Sequence, residues 1–163
     1  MVAPGAQLWV EAWVPRGDVL WDDDVVRGAF WFGELWATAL ATWGADPMVH
    51  RARAIVTDWS ALVCFAGIGP GEVTVADKKV VGLSQRRTTA GARLQTVAAI
   101  RWDPDQLLEL FDLSATDRDR AGADLARTAQ GLSALDSAPG PDAAPSSRVE
   151  ALWAAVVDNL PRP

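Results

Sequence analysis

Very little in this sequence can support covalent or metal cross-linking. Its 163 residues include one cysteine, Cys64, and one histidine, His50. A lone cysteine excludes an internal disulfide, and one residue of each type cannot assemble a His/Cys zinc site. Tyrosine is absent altogether. No apolar run approaches the roughly 20 residues that span a bilayer. The segment Met1 to Leu8 lacks the basic-then-apolar order of a secretory signal. A cytoplasmic protein with no membrane partner is therefore expected. Basic residues are also short, 15 against 21 acidic ones for a net charge of -6. That balance disfavours a protein that reads phosphate backbones, so no nucleic-acid partner is expected.

The remaining composition is that of a globular chain. Half of it is hydrophobic (50%) and 22% is charged, and its length suits one domain with a real core. The surplus is in tryptophan, of which there are nine. Indole buries a large area, so core packing is the first reading; some of the nine would be exposed if part of the domain lies elsewhere.

Residues 7–16 (QLWVEAWVPR) alternate, with Leu8, Val10, Ala12 and Val14 on one face and Trp9, Glu11 and Trp13 on the other. This period of two predicts a strand, ended by Pro15 and Gly17. Asp22, Asp23 and Asp24 then offer a cap and negative charge to a helix. Along it Val26, Ala29, Phe30, Gly33, Trp36, Leu40 and Trp43 recur at helical spacing, and Gly44 suits the left-handed residue beyond its end. Residues 53–59 are a further strand candidate, and 72–76, 79–86 and 93–102 read as an antiparallel meander. Its turns are expected at Asp77-Lys78 and at Thr88 to Gly91. Asp103-Pro104 with Gln106, and Ser114 with Asp117, begin two helices, the second running to about Leu132. The pattern predicts an α+β domain with a mainly antiparallel sheet flanked by helices over residues 1–135. A flexible Pro/Ala/Ser/Gly linker is expected at 136–147. A C-terminal helix is expected at 148–163, capped by Ser147 with Glu150, whose stripe of Val149, Leu152, Trp153, Val156, Val157 and Leu160 must dock on something.

The stretches PRGDVLWDDDVVRGAFWFGELWATAL and LVCFAGIGPGEVTVADKKVVGLSQRR resemble the biotin/lipoate A/B protein ligase family, on its lipoate–protein ligase side and most of all in its high-GC actinobacterial type. The sharpest piece is Lys79-Val80-Val81-Gly82-Leu83-Ser84-Gln85-Arg86-Arg87, which is similar to the family's K-[IVL]-x-G-x-[SA]-Q-x-R segment. The resemblance covers roughly residues 5–132. It implies a biotin/lipoate-ligase-like catalytic domain that attaches lipoyl or octanoyl groups to a lysine of a carrier domain, through an acyl-adenylate made from ATP with Mg and lipoate or octanoate. The implied partner is a lipoyl carrier domain, from a 2-oxoacid dehydrogenase subunit or the glycine-cleavage carrier. Negative charge builds on phosphate and carbonyl oxygens in such a reaction, and a fixed ammonium lowers that barrier. Lys79 stands at the family's place for it. Gly82, Ser84 and Gln85, with Gly69 and Gly71 of the preceding loop, are candidate pocket residues.

Each has a plainer reading. Lys79 alone would be a solvent-facing strand lysine, Lys78 a turn charge, and Arg86 and Arg87 solvated. The glycines around Pro70 match neither a Walker loop nor a dinucleotide fingerprint, so a turn that shapes the pocket is favoured. His50 would be a surface or part-buried residue. Cys64 would be a small buried thiol. A related group, the octanoyltransferases, is similar in layout, and there a cysteine ahead of the lysine forms an acyl thioester. Cys64 is thus the candidate nucleophile of a rival reading.

Two departures from the family stand out. Its R-R-x-x-G-G segment, which precedes the first strand, has no counterpart, so the N-terminal part of the domain is expected to be missing from this chain. Gln95 is followed by Thr96-Val97 where many members have His-Gly, and a threonine hydroxyl does no acid–base work near neutral pH. An inactive fragment, or a non-catalytic module that holds an acyl group or a carrier, is the alternative from another class.

Overall fold

The computed structural model of the chain describes residues 6–135 and 145–161. The alternating N-terminal segment forms β1 (Gln7–Pro15), and the expected meander forms β3 (Val73–Val75), β4 (Lys78–Arg87) and β5 (Gly91–Ala99). With β2 (Pro47–Val49) they make one sheet in the order β1-β5-β4-β3-β2, with every pairing antiparallel. The first strand thus lies against the last.

Two strand expectations need correction. Residues 53–59 do not form a strand and contribute only the isolated bridge Ile55–Ile68. The short strand is β2 instead, which alternation could not single out in three residues. The β3–β4 turn sits one residue earlier than expected. Ala76 and Asp77 take φ of 49° and 61°, the left-handed pair that matches the twist of a two-residue hairpin. That leaves Lys78 as the first residue of β4.

Helix α1 (Arg27–Ala41) starts where the aspartates predict. Asp24 Oδ1 accepts from the Val26 and Arg27 amides at 2.8 and 3.0 Å, and Gly44 beyond its end has φ +77°. Its buried stripe is Gly28, Ala29, Phe32, Gly33, Leu35, Trp36, Ala39 and Leu40. Phe32 therefore replaces the expected Val26 and Phe30; Val26 is exposed and Phe30 lies under the Arg51 guanidinium. Asp103 caps α2 (Pro104–Leu108) by accepting from the Gln106 amide at 3.0 Å. Ser114 caps α3 (Ala115–Thr128) through the Asp117 amide at 3.1 Å. Helix α4 (Pro145–Asp158) begins ahead of Ser147, which lies inside the helix and is not its cap. The expected linker otherwise falls on 136–144, outside the described residues.

Helices α1 and α4 cover one sheet face. Val10, Val14, Leu94, Ala98, Val80 and Val81 pack there against Phe32, Trp36, Leu40, Leu152 and Val156. Among the described side chains of the expected α4 stripe only Leu152 and Val156 dock, both fully buried; Trp153, Val157 and Leu160 are exposed, because one side of the helix faces away from the core. On the other face a smaller core covers one end only. Phe65, Trp59 and Val63 from the long loop meet Leu108, Ala121 and Leu125 of α2 and α3, with Val97 and Trp102 at its margin. Among the described residues nothing similar covers the rest of that face, with Trp9, Glu11, Trp13, Arg93, Ser84 and Arg86, and Trp9 and Trp13 are 47% and 53% exposed.

Candidate functional site

Lys79 and Gly82 are three residues apart, and regular alternation would put them on opposite faces. A register break between β3 and β4 prevents this. Val73 pairs with Val81 but Thr74 pairs with Lys79, so Val80 is the extra residue of a β-bulge. Val80 and Val81 both enter the helix-side core, while Lys79 and Gly82 both meet Phe65 on the other side. Ser84 continues that second side and is exposed. Gln85 does not join it. Its Oε1 accepts from Arg87 Nε at 3.0 Å, and that arginine reaches under α1 to the Asp22 carbonyl at 2.6 Å and over the Trp21 ring. The motif's glutamine therefore faces the helix side, and its Nε2, like Trp31 Nε1, is buried without a partner among the described residues.

Lys79 is not a solvated strand lysine, being only 3% exposed. Its Nζ donates to Glu72 Oε2 at 2.7 Å, to the Cys64 carbonyl at 2.8 Å and to the Gly67 carbonyl at 3.1 Å, and it stands 4.9 Å from the Phe65 ring centroid. An ammonium has three hydrogens, and each has an acceptor. Glu72, itself 7% exposed, is as fully engaged. Oε2 also accepts from the Gly69 amide at 2.7 Å and Oε1 from the Leu83 amide at 3.0 Å. This carboxylate therefore ties the loop before β3 to β4 and compensates the buried charge. The sequence reading missed it. The only signal was an acidic residue set between Gly71 and the apolar strand Val73–Val75.

The glycines serve packing more than ligand approach. A Cβ on Gly82 would sit 3.1 Å from the Phe65 ring and 3.4 Å from Lys79 Cε. Gly71, at φ +85°, would meet Ala29 of α1 at 3.1 Å, and its carbonyl lies where a Cβ on Gly33 would be. The amide of Gly71 goes to the His50 carbonyl at 2.8 Å, and that of Gly69 is held by Glu72. The loop is thus a shaped turn, as expected, with neither of these two amides left for a phosphate. His50, half-buried, has Nε2 2.9 Å from the Arg53 carbonyl.

Cys64 is exposed, not the small buried thiol of the plainer reading, because Val63 and Phe65 on either side take the core positions. Thr96 is buried at 1% on the helix side. Its Oγ1 accepts from Trp36 Nε1 at 2.8 Å and donates to the Val10 carbonyl at 3.2 Å. It therefore pins α1 to the sheet and has no place beside Lys79. On the open face Glu11 Oε2 accepts from Arg93 at 2.5 Å and from Gln95 at 2.7 Å. These bonds hold its carboxyl below the usual carboxylate range.

Beside Lys79 lies a cavity of about 210 Å³, bounded by Gly67, Ile68, Thr74, Arg127 and Thr128. A larger one, about 890 Å³, opens beyond the end of β5 between Lys78, Arg101, Trp102, Gln130 and Ser133; it holds none of the predicted site residues. Among the described residues no three His, Cys, Asp or Glu side chains converge as metal ligands, and no helix is long and apolar enough to cross a membrane. With Lys79 saturated and these two glycine amides engaged, none of the three groups is free to meet a phosphate in this arrangement.

No family model and no curated protein matches the sequence. Among solved structures, the chain is similar to one from an archaeal lipoylation system, described as a bi-partite lipoate protein ligase and its E2 lipoyl domain from Thermoplasma acidophilum. The TM-score is 0.64 at 14% identity over 96% of this chain and 52% of that one. It is also similar to lipoate-protein ligase A bound with ATP, at a TM-score of 0.54 and 14% identity over 94% of this chain and 51% of that one. The antiparallel sheet with its helices is therefore the lipoate-protein ligase catalytic fold, and the chain spans about half the length of these neighbours.

Proposed function

We propose that this chain is the lysine-bearing half of a lipoate–protein ligase-like catalytic domain. On this reading the domain attaches lipoyl or octanoyl groups to a lysine of a lipoyl carrier domain through an acyl-adenylate made from ATP. The observation that carries the reading is the setting of Lys79. Its ammonium is brought to the inner end of the open sheet face by a bulge and held by a buried carboxylate, within a fold shared with such ligases. Burying a charge costs several kcal/mol, and a lysine needed only for solubility would not be placed there. For the ammonium to meet a phosphate or carbonyl oxygen, the Cys64 or Gly67 carbonyl must first release it, and the remainder of the fold must supply the acyl and nucleotide contacts. Gly82 and Ser84 would line the site from the strand. Gln85, facing the helix side, would act only through Arg87.

The exposure of Cys64 favours a second reading, octanoyl transfer through a Cys64 thioester. The main-chain carbonyl of this residue accepts from Lys79 Nζ at 2.8 Å, so the same loop residue would carry the nucleophile and hold the ammonium. The third is a non-catalytic module that holds an acyl group or a carrier. One experiment separates the three. The purified chain is assayed alone, and with the N-terminal half of a structurally similar ligase supplied in trans, using lipoate, ATP and Mg with a lipoyl domain, or octanoyl carrier protein with the same domain. ATP-dependent lipoylation that is lost in the doubly substituted Lys79→Met/Glu72→Gln protein supports the ligase. A hydroxylamine-labile adduct on Cys64 supports the transferase. Full activity in the folded double variant would remove Lys79 from the mechanism, and absence of both reactions in both settings would leave the binding module.

A further inference from the structure

We infer that β1 is the seam of a homodimer in which two copies pair this strand antiparallel, about a two-fold axis at Glu11. β1 ends the sheet. Ala6 O accepts from the Ile100 amide and the Arg16 amide donates to Ala90 O, both at 2.9 Å. In the register that sets Gln7 against Ala99 and Pro15 against Gly91, the even-numbered residues therefore bond to β5. The odd-numbered ones, Gln7, Trp9, Glu11, Trp13 and Pro15, direct their main-chain groups away from the sheet. Trp9, Glu11 and Trp13 also carry the exposed side chains. Open edges of this kind pair with other strands unless they are blocked.

The choice of a second copy comes from the strand itself. β1 is centred on Glu11 and reads almost alike in both directions, Leu8-Trp9-Val10 before it and Ala12-Trp13-Val14 after it. Full antiparallel overlap sets Trp9 against the partner's Trp13 and joins four indoles across the open face. On the covered face it sets Leu8 against the partner's Val14 and Val10 against the partner's Ala12, which prolongs the buried row of each sheet. A slip by one residue would turn the apolar side chains out, so this register is favoured. Glu11 would meet the partner's Glu11, but each carboxylate is already compensated by its own Arg93 and Gln95. Pro15 and Gln7 close the ladder at either end, because proline offers no amide hydrogen. A contact of one strand and two indoles per copy lies at the small end of stable interfaces, so the dimer is concentration-dependent. This inference uses neither Lys79 nor the ligase reading, and a remaining half of a ligase domain seated on the same edge would compete with it.

The test uses single cysteines in a Cys64→Ser background. On the axis, two residues at position 11 are a bonded pair with Cα atoms about 5.5 Å apart, inside the roughly 4.4–6.8 Å reach of a disulfide. Two residues at position 7 are offset by eight residues, about 27 Å. Mild oxidation should convert Glu11→Cys to a covalent dimer and leave Gln7→Cys monomeric. Sedimentation of the unoxidised chain should show a monomer–dimer equilibrium that Trp9→Lys/Trp13→Lys abolishes. Both tryptophans are exposed, so the cooperative thermal unfolding followed by far-UV circular dichroism should be retained after their replacement. A monodisperse monomer at high concentration overturns the inference. Equal cross-linking at positions 7 and 11, or a dimer untouched by the tryptophan substitutions, also overturns it and points to another occupant of this edge.

Discussion

Replacing Lys79 by alanine tests the buried pair most directly, and the cost can be worked from its surroundings. The substitution leaves the Glu72 carboxylate 7% exposed with two amides but no cation. The Cys64 and Gly67 carbonyls lose a donor as well. Breaking a buried pair in this way costs about 3–5 kcal/mol, a large part of the 5–15 kcal/mol that holds a typical domain. At a urea slope of about 2 kcal/mol per molar, the unfolding midpoint should fall by about 1.5–2.5 M. Glu72→Gln is no isostere, because both carboxylate oxygens accept from N–H groups and whichever carries the amide nitrogen meets a donor. Lys79→Met/Glu72→Gln removes both charges and should be less destabilised than the sum of its single variants, by about 1.5 kcal/mol or more. Tryptophan fluorescence in urea reads the parent, Lys79→Ala, Lys79→Met, Glu72→Gln and the double variant. If Lys79→Ala unfolds within about 0.5 kcal/mol of the parent, the range for an ordinary surface change, the pair is not buried and compensated as described.

Thr96→Val should cost about 1–3 kcal/mol, because the Trp36 indole N–H is left without its acceptor inside the core; a midpoint unchanged in the same urea titration would contradict this. For Asp24, amide hydrogen bonds from Arg27 and Val26 hold the carboxyl below its ordinary 3.8. Its contribution is therefore complete above pH 3.8 and is lost as pH falls through the lowered value. The difference in Tm between the parent and Asp24→Ala should thus be constant near neutrality and narrow from pH 3.8 downward, as followed by thermal melts; a gap that widens with acid would refute the assignment.

The elements with strong local signals were legible. The alternation of 7–16, the aspartate cap and Gly44 of the first helix, the meander, and the caps Asp103 and Ser114 all stand where composition and spacing put them, and of the α4 stripe Leu152 and Val156 do. What was not legible depends on contacts between distant residues. The short strand β2 is defined by its pairing with β3, not by its own pattern. The choice of Phe32 over Phe30 depends on which side of α1 the sheet lies, and the Ala76-Asp77 turn on the twist of the strands around it. At the site, the lysine motif was visible but its setting was not. The bulge at Val80 decides which motif residues share a face, so Gln85 was grouped with Lys79 although it points to the helix side. Glu72, seven residues upstream of Lys79, comes beside it only through the β3–β4 hairpin. Cys64 was misjudged because burial of its two neighbours says nothing of the residue between them.

The placement of the first strand against the last has a consequence in time. β1 waits for β5, because Gln7 pairs with Ala99. At a synthesis rate of about 5–20 residues per second the intervening chain takes roughly 5–18 s to appear. The β3–β4–β5 meander closes over short loops and can form by itself, and α1 needs only its own neighbours. During that delay the tryptophan-bearing strand has no sheet to join, and at high expression the strands of neighbouring nascent chains are the nearest templates. Slower initiation, or a colder culture, should therefore raise the soluble yield of this chain more than that of a protein whose first strand pairs with its second.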